Sequence, residues 1–367
     1  MKIAILGTRG IPNYYSGFEQ FAEFFSIYLA EKGHDVYVYN SHNHPYQEKT
    51  FHGVNIIHQY DPEYKLGTFG QFIYDFNCIL DSRKRNFDII LQLGYTSNSV
   101  WFFLLPKKSI IITNMDGLEW KRTKYSKPVQ QFLKFAERLA AISSDYLISD
   151  SLGIKKYLME QYKKESTYIA YGAYPFSNHD ESILSIYDVQ KGDYNMIMAR
   201  FEPENNLDMV LEGVVLNKEN YTPILVVGNH NTKYGEYLKN KFKKYSHIRF
   251  LGGIYNLGHL NNLRFFSNLY FHGHSVGGTN PSLLEAMASR ALVISHNNDF
   301  NRGVLKENAI YFSNSEEVKK ILLKTKKIDN LQFIQNNFEA IENEFNWDKI
   351  NGEYLQLFED CVSGTKI

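Results

Sequence analysis

The chain has only two cysteines in 367 residues, Cys78 and Cys361, and they share no metal-ligand or redox spacing. That excludes a disulfide scaffold and a cysteine-ligated zinc site, and fits a reducing cytoplasm. No uninterrupted apolar run reaches the roughly 18 residues of a membrane span. The longest, Val100 to Leu105, stops at Pro106 and Lys107-Lys108 and reads as a buried helix. Lys2 to Leu6 is broken at once by Gly7-Thr8-Arg9-Gly10, so no signal peptide is expected. Formal net charge is zero, which leaves no electrostatic footprint for nucleic acid. There is no Asp-x-Asp motif to carry a divalent ion onto a diphosphate, so neither metal nor cofactor is expected. The first βα loop is not G-x-G-x-x-G. The second strand ends in Tyr39-Asn40-Ser41, without the acid that holds an NAD ribose, so a dehydrogenase is disfavoured.

What is present is alternation. Strands are expected at Lys2–Leu6, 35–39, 88–91, 109–113 and Tyr146–Ser149, with helices at 17–30, Phe69–Ser82, 128–141 and 152–161 between them. Ser16-Gly17-Phe18-Glu19 matches a capping box at the first helix start. The pattern lapses from Gly172 to Gly192 and resumes with strands at 194–200, Ile224–Val227, 247–251, 269–272 and 291–295. The region 316–361 reads as mostly helical. This predicts an α/β protein of two doubly wound, Rossmann-like domains. The expected boundaries are 1–172, a linker 173–192, 193–345, and a final helix 346–367. Such sheets bind ligands at their strand ends, so a central cleft is expected.

Gly277-Gly278-Thr279-Asn280-Pro281-Ser282-Leu283-Leu284-Glu285 carries the sharpest chemistry. Thr and Asn are good N-caps and Pro281 suits the first helical position. The loop presents free N–H groups and the positive end of a helix dipole, which bind a phosphate or diphosphate. Glu285, one turn inside, would repel that anion unless it accepts hydrogen bonds from ribose or sugar hydroxyls. The alternative is an ordinary capped helix.

Five other segments at strand ends carry candidates. Gly7 to Gly17 forms a long loop in which Gly17 lets a ligand approach the helix start, or is a plain turn. Asn114-Met115-Asp116-Gly117-Leu118-Glu119-Trp120-Lys121-Arg122 puts acids, an indole and cations in one loop. Asp116 there could orient an acceptor hydroxyl, and Trp120 could stack on a sugar or simply anchor the loop. Arg200 ends the first strand of the second half and would pair with a diphosphate, or with Glu202 or Glu204. Main-chain groups at Ile254 and Tyr255 would hold a nucleobase edge. His272 and His274 share one face of an extended chain, and one of them would contact the phosphates.

Together these segments resemble the GT-B glycosyltransferases of family 4, retaining enzymes that use nucleotide sugars. The likeness rests on Gly17 to Val36, on Arg200-Phe201-Glu202-Pro203-Glu204-Asn205-Asn206, and on Gly277 to Met287. Asn114 to Arg122 and Gly7 to Pro12 are similar to a narrower branch of bacterial rhamnosyltransferase-like enzymes of capsule and surface polysaccharide synthesis. The resemblance implies a GT-B fold whose C-terminal helix returns to the first domain. It implies donor diphosphate binding by Arg200 and the backbone around Gly278 to Asn280, ribose binding by Glu285, and acceptor-side Gly17, Asp116 and Glu119. With the residues read above, the expected site is catalytic Asp116, Arg200 and Glu285, donor-binding Gly277, Gly278, Thr279, Asn280, His272, Ile254 and Tyr255, and acceptor-side Gly17, Glu119 and Trp120. The expected reaction moves a sugar, first guess rhamnose from dTDP-rhamnose, to a glycan or lipid-linked glycan, in the cytoplasm at the inner membrane face. Two positions depart from the family pattern: Asn205 stands where a diphosphate-clamping Lys is usual, and Gly277 replaces the first of two glutamates separated by seven residues. The competing readings are a nucleotide-sugar epimerase and a binding module that has lost catalysis.

Overall fold

The structure is a computed structural model that describes residues 1–14, 17–122, 124–217 and 221–364. Ser16, half of the expected capping box, lies outside the described residues. The chain divides into two units. One comprises Met1–Trp120, Lys127–Tyr171 and Trp347–Ile367; the other comprises Lys121–Ser126 and Gly172–Asn346. Lys121, Arg122 and Lys124, read from the sequence with the first half, therefore group with the second unit.

The first unit holds eight strands: β1 (Lys2–Leu6), β2 (Asp35–Ser41), β3 (Thr50–Phe51), β4 (Val54–Gln59), β5 (Ile89–Leu93), β6 (Ile110–Asn114), β7 (Tyr146–Ser149) and β8 (Thr167–Tyr168). They lie in the order β3-β4-β2-β1-β5-β6-β7-β8, and every pairing is parallel except β3 with β4. All five residues of β5 are buried, as expected of a strand covered on both faces. The sequence reading missed the β3–β4 hairpin. It is short, and it turns at His52-Gly53, both of which have positive φ.

The C-terminal helix Trp347–Ser363 belongs to this unit, as expected. Its Tyr354 packs on Phe21 and Phe25 of helix Gly17–Glu31, with ring centroids 4.7 and 5.1 Å apart. Phe358 meets Phe25 edge-on at 5.5 Å. The apolar run 99–104 is not a buried helix. It forms a 3-10 turn in which Trp101 and Leu104 pack against the core, the Trp101 indole N–H bonding the Phe72 carbonyl at 2.9 Å, while Phe103 is left 62% exposed.

The second unit holds β9 (Asn195–Met198), β10 (Ile224–Val227), β11 (Ile248–Gly252), β12 (Tyr270–His272), β13 (Val293–His296) and β14 (Ile310–Phe312). Their order is β11-β10-β9-β12-β13-β14, all parallel. The order reverses between β9 and β12, so the loops after those two strands flank the switch point where wound sheets bind ligands.

Candidate active site

The loops after β9 and β12 carry most of the predicted donor residues, and they are stitched together. Both the backbone N–H and the hydroxyl of Ser275 donate to the Glu204 carbonyl, at 3.0 and 2.7 Å. The Asn206 amide donates to the Gly273 carbonyl at 2.8 Å. The contact is so close that a Cβ on Gly273 would lie 2.2 Å from the Asn205 carbonyl oxygen. Arg200, at the end of β9, is exposed. Its guanidinium makes no hydrogen bond or ion pair among the described residues; Glu202 faces Lys124 instead, at 3.7 Å. Asn205, where a clamping Lys was looked for, is buried, and its amide donates to the Arg200 carbonyl at 2.8 Å. It braces the loop that carries the arginine.

Helix Pro281–Ala288 opens as read from the sequence. Asn280 is its N-cap and accepts from the backbone N–H of Ser282 at 3.0 Å and from its hydroxyl at 2.8 Å. Thr279 is buried beside it. Gly277 has φ +139°, with open space where a side chain would sit. No neighbour forbids a glutamate there, but the backbone does, since L-residues rarely adopt that conformation.

Glu285 is not the lone carboxylate the sequence suggested. Arg264, on helix Leu257–Phe266, reaches it at 2.6 Å with its side chain fully buried. The same guanidinium donates to Asn261 at 2.8 Å. Burial would lower the arginine's pKa, but Glu285 and Tyr270 outweigh it and the net shift is upward. Sequence reasoning missed Arg264. The signal was a charge on the apolar stripe Leu260, Leu263, Arg264.

His272 and His274 do share a face, their rings stacked 4.4 Å apart at 14°. His272 is fully buried and neither ring nitrogen has a partner among the described residues, so His274 is the one partly open to solvent. Burial, then Arg200 and Arg122, push His274 down to about 3, and burial holds His272 well below its ordinary value. Both rings are neutral at physiological pH. Ile254 is half-buried, and Tyr255 stands 80% exposed in the loop after β11.

In the first unit, Asp116 follows β6 in a left-handed conformation, φ +46°, and its N–H bonds the Asn114 side chain at 2.9 Å. The same Asn114 donates to the Tyr354 hydroxyl of the C-terminal helix at 2.8 Å. Trp120 takes the anchoring role. Its indole N–H donates to Glu137 at 3.1 Å, with Lys134 over its ring at 4.6 Å. Glu137, on helix Lys127–Ser143, is 1% exposed. It also accepts from the Tyr157 and Tyr162 hydroxyls at 2.7 Å each and from Tyr95 at 3.3 Å. The N–H of Glu119 reaches Tyr95 at 3.3 Å. The Glu119–Trp120 end of the loop is thus anchored, directly and through Tyr95, to one buried carboxylate, which the sequence reading did not single out.

The loop after β1 is held by Asn40, where a dinucleotide site would place its acid. Asn40 bonds both the N–H and the carbonyl of Ile11, at 3.1 and 2.8 Å. A Cβ on Gly10 would meet Asn40 at 2.3 Å. Gly17 opens the first helix, and its carbonyl accepts from Tyr171 at 2.9 Å.

Residues 188–339 match the family described as Glycosyl transferases group 1, and residues 1–174 match a domain of unknown function, DUF1972. The second half of the chain thus matches group 1 glycosyltransferases, and the fold is GT-B. The match agrees with the expected enzyme class, a glycosyltransferase. Among solved structures, sucrose-phosphate synthase from Thermosynechococcus elongatus shares 15% identity at TM-score 0.79, over 99% of each chain. Anabaena HepE in complex with UDP and glucose shares 14% at 0.75, over 97% of this chain and 98% of that one. WaaG, a glycosyltransferase involved in lipopolysaccharide biosynthesis, shares 13% at 0.72, over 99% and 100%. These likenesses carry the fold. No curated protein matches the chain. Among the described residues, no helix is long and apolar enough to cross a membrane.

Proposed function

We propose that this glycosyltransferase takes a sugar from a nucleoside diphosphate donor bound by the second unit and places it, with retention, on a glycan or lipid-linked glycan. The observation that supports this most is the loop pair at the β9/β12 switch point. An unpaired, exposed Arg200 is braced by Asn205 there, and the Asn280-capped helix end lies in the loop stitched to it. Guanidinium and helix N–H groups suit a diphosphate. Glu285, fixed by Arg264 through one oxygen, keeps its other oxygen for ribose hydroxyls. HepE, similar in fold, is known in complex with UDP-glucose. The group 1 match favours transfer over epimerisation. Rhamnose from dTDP-rhamnose, in capsule or surface polysaccharide synthesis, is the first donor to test. A thermal-shift panel of dTDP-, UDP- and GDP-sugars ranks donors, since a ligand at 100 times its Kd adds about 2.7 kcal/mol of stability. Nucleotide release that depends on an acceptor then establishes transfer; release or isomerisation without acceptor overturns it.

In this reading Arg200 neutralises the leaving diphosphate. Arg200→Ala is expected to fold normally, because the side chain is exposed, and to lose about a hundredfold in turnover. Steady-state kinetics beside a melting curve checks both; a folded variant with near-normal turnover rejects the role. The charge supplied by Arg200 and the helix end also predicts transfer that does not require a divalent ion. Turnover in excess EDTA should match that in magnesium or manganese, and loss with EDTA restored by either ion refutes it.

The acceptor is proposed to sit at the membrane surface. The first unit exposes Phe69, Phe102, Phe103 and Phe135 at 64, 38, 62 and 54%. Phe72 links Phe69 to Phe132 at 5.9 and 5.7 Å. Arg83 bonds the Leu104 carbonyl at 3.2 Å, and Lys107 and Lys108 are exposed nearby in sequence. Apolar rings beside cations suit anionic lipid, at about 1 kcal/mol per near-surface cation. The protein should pellet with phosphatidylserine vesicles at low salt and be released at high salt. Phe103→Asp should weaken pelleting several-fold. No pelleting at low salt overturns the proposal.

A further inference from the structure

The second unit has a large cavity that the donor reading does not use. It measures 1050 Å³ and lies among residues that precede the strands: Asp193 before β9, Thr222 before β10, Asn268 before β12 and Arg290 before β13. The donor loops follow the strands, so the cavity is at the opposite edge of the same sheet.

Its lining combines two characters. One is apolar: Phe265, Phe266, Leu322, Leu323, Ile328 and Leu331, of which Ile328 and Leu331 are 68 and 53% exposed. The other is cationic. Lys191, Arg290, Lys326 and Lys327 line it, against a single acid, Asp193. Lys327 is the telling residue. Its ammonium donates to the Phe265 carbonyl, lies 5.2 Å over the Phe265 ring, and has no carboxylate partner among the described residues. Burial, then Lys191, push its pKa down to about 8. Arg290 sits over the Phe338 ring at 3.6 Å and donates to Gln335 at 3.0 Å, again without an acid among the described residues. His179 stacks on Phe265 at 3.7 Å; burial and the charges of Arg290 and Lys327 hold its pKa below the ordinary value. A desolvated ammonium such as that of Lys327, with no acid beside it, is costly unless an anion joins it, and Lys191 and Arg290 add positive charge to the same wall. A neutral apolar ligand would leave that cost in place. A bare anion would leave the apolar walls wet.

We propose that this cavity binds an anionic amphiphile: an apolar chain or ring system carrying one phosphate or carboxylate group, its head between Lys327, Lys191 and Arg290 and its body along Leu323, Ile328 and Leu331. Removing apolar area from water contributes about 25 cal/mol per Å², so the body supplies affinity and the cations select the head.

The test is calorimetry on the full chain with three probes below their critical micelle concentrations: decyl phosphate, decyl maltoside and inorganic phosphate. Decyl phosphate should bind saturably at one site, at least tenfold tighter than either other probe. Lys327→Met keeps the stem and removes the charge, and should weaken decyl phosphate at least tenfold. Lys191→Glu, at an exposed position, tests the same point should Lys327→Met fold poorly. Equal affinity for decyl maltoside overturns the assignment. So does decyl phosphate binding at wild-type strength in a folded Lys191→Glu variant. Neither outcome depends on sugar transfer, so the donor reading stands or falls separately.

Discussion

Glu285→Ala is expected to lower stability by about 3–5 kcal/mol and transfer by at least about a hundredfold. The stability loss follows from Arg264, whose side chain is wholly buried and whose ion pair at 2.6 Å would lose its carboxylate. Breaking a buried pair from one side leaves an uncompensated charge. The catalytic loss follows from the proposed contact with the donor ribose, since a charge-assisted hydrogen bond contributes about 1.5–3 kcal/mol. The two effects must be separated, because a partly unfolded enzyme is also slow. Replacing both partners, Arg264→Met with Glu285→Leu, should recover most of the stability, as apolar replacements of buried pairs often do. It should not recover transfer. Melting curves and donor titrations on the single and double variants decide the matter. If transfer returns with stability, Glu285 serves only the fold.

The same pair shows what the sequence could and could not reveal. Alternation of apolar strands and amphipathic helices was enough for two wound sheets, because parallel strands buried on both faces read as continuous apolar runs. Ile89-Ile90-Leu91 and Ile224–Val227 are of this kind. The Asn280 cap and Pro281 at the first helical turn were legible because capping chemistry is local. The partners of Glu285 and Trp120 were not, because they come from other helices. Still, each left a trace. Arg264 and Glu137 both sit on the apolar stripe of their helix, at Leu260-Leu263-Arg264 and at Leu133-Ala136-Glu137-Ala140. A lone charge on such a stripe must be paired once buried.

The two departures from the family pattern also gain physical content. Asn205 cannot clamp a phosphate from its buried position, since its amide is committed to the Arg200 carbonyl. It shapes the turn that presents Arg200. Gly277 is held in a backbone conformation that a glutamate would strain. Restoring either family residue singly is therefore not a simple reversion: a lysine at 205 would lose the brace, and a glutamate at 277 would move the loop.

The largest effect in the first unit is expected at Glu137. Its carboxylate accepts from Tyr157 and Tyr162 on one oxygen and from Trp120 and Tyr95 on the other. Glu137→Ala strands three donors, Trp120, Tyr157 and Tyr162, while the Tyr95 hydroxyl keeps the Gly117 carbonyl at 3.2 Å. Glu137→Gln keeps the volume but turns an acceptor into a donor facing two others. Each buried donor left unsatisfied costs about 1–3 kcal/mol. Each kcal/mol lowers the Tm of a unit of this size by about 2–4 °C. Both variants should melt well below the wild type, alanine lowest. The functional consequence runs through the loop. Trp120 and Glu119 lose their anchor, and Asp116 loses the fixed approach it is proposed to give the acceptor hydroxyl, an orientation worth large rate factors. In folded Glu137→Gln, and in Asp116→Asn, transfer should slow at least tenfold while donor affinity by calorimetry stays within twofold. An unchanged Tm in Glu137→Gln would remove the anchoring role. Loss of donor affinity in Asp116→Asn, with normal transfer at saturating donor, would move Asp116 from the acceptor to the donor.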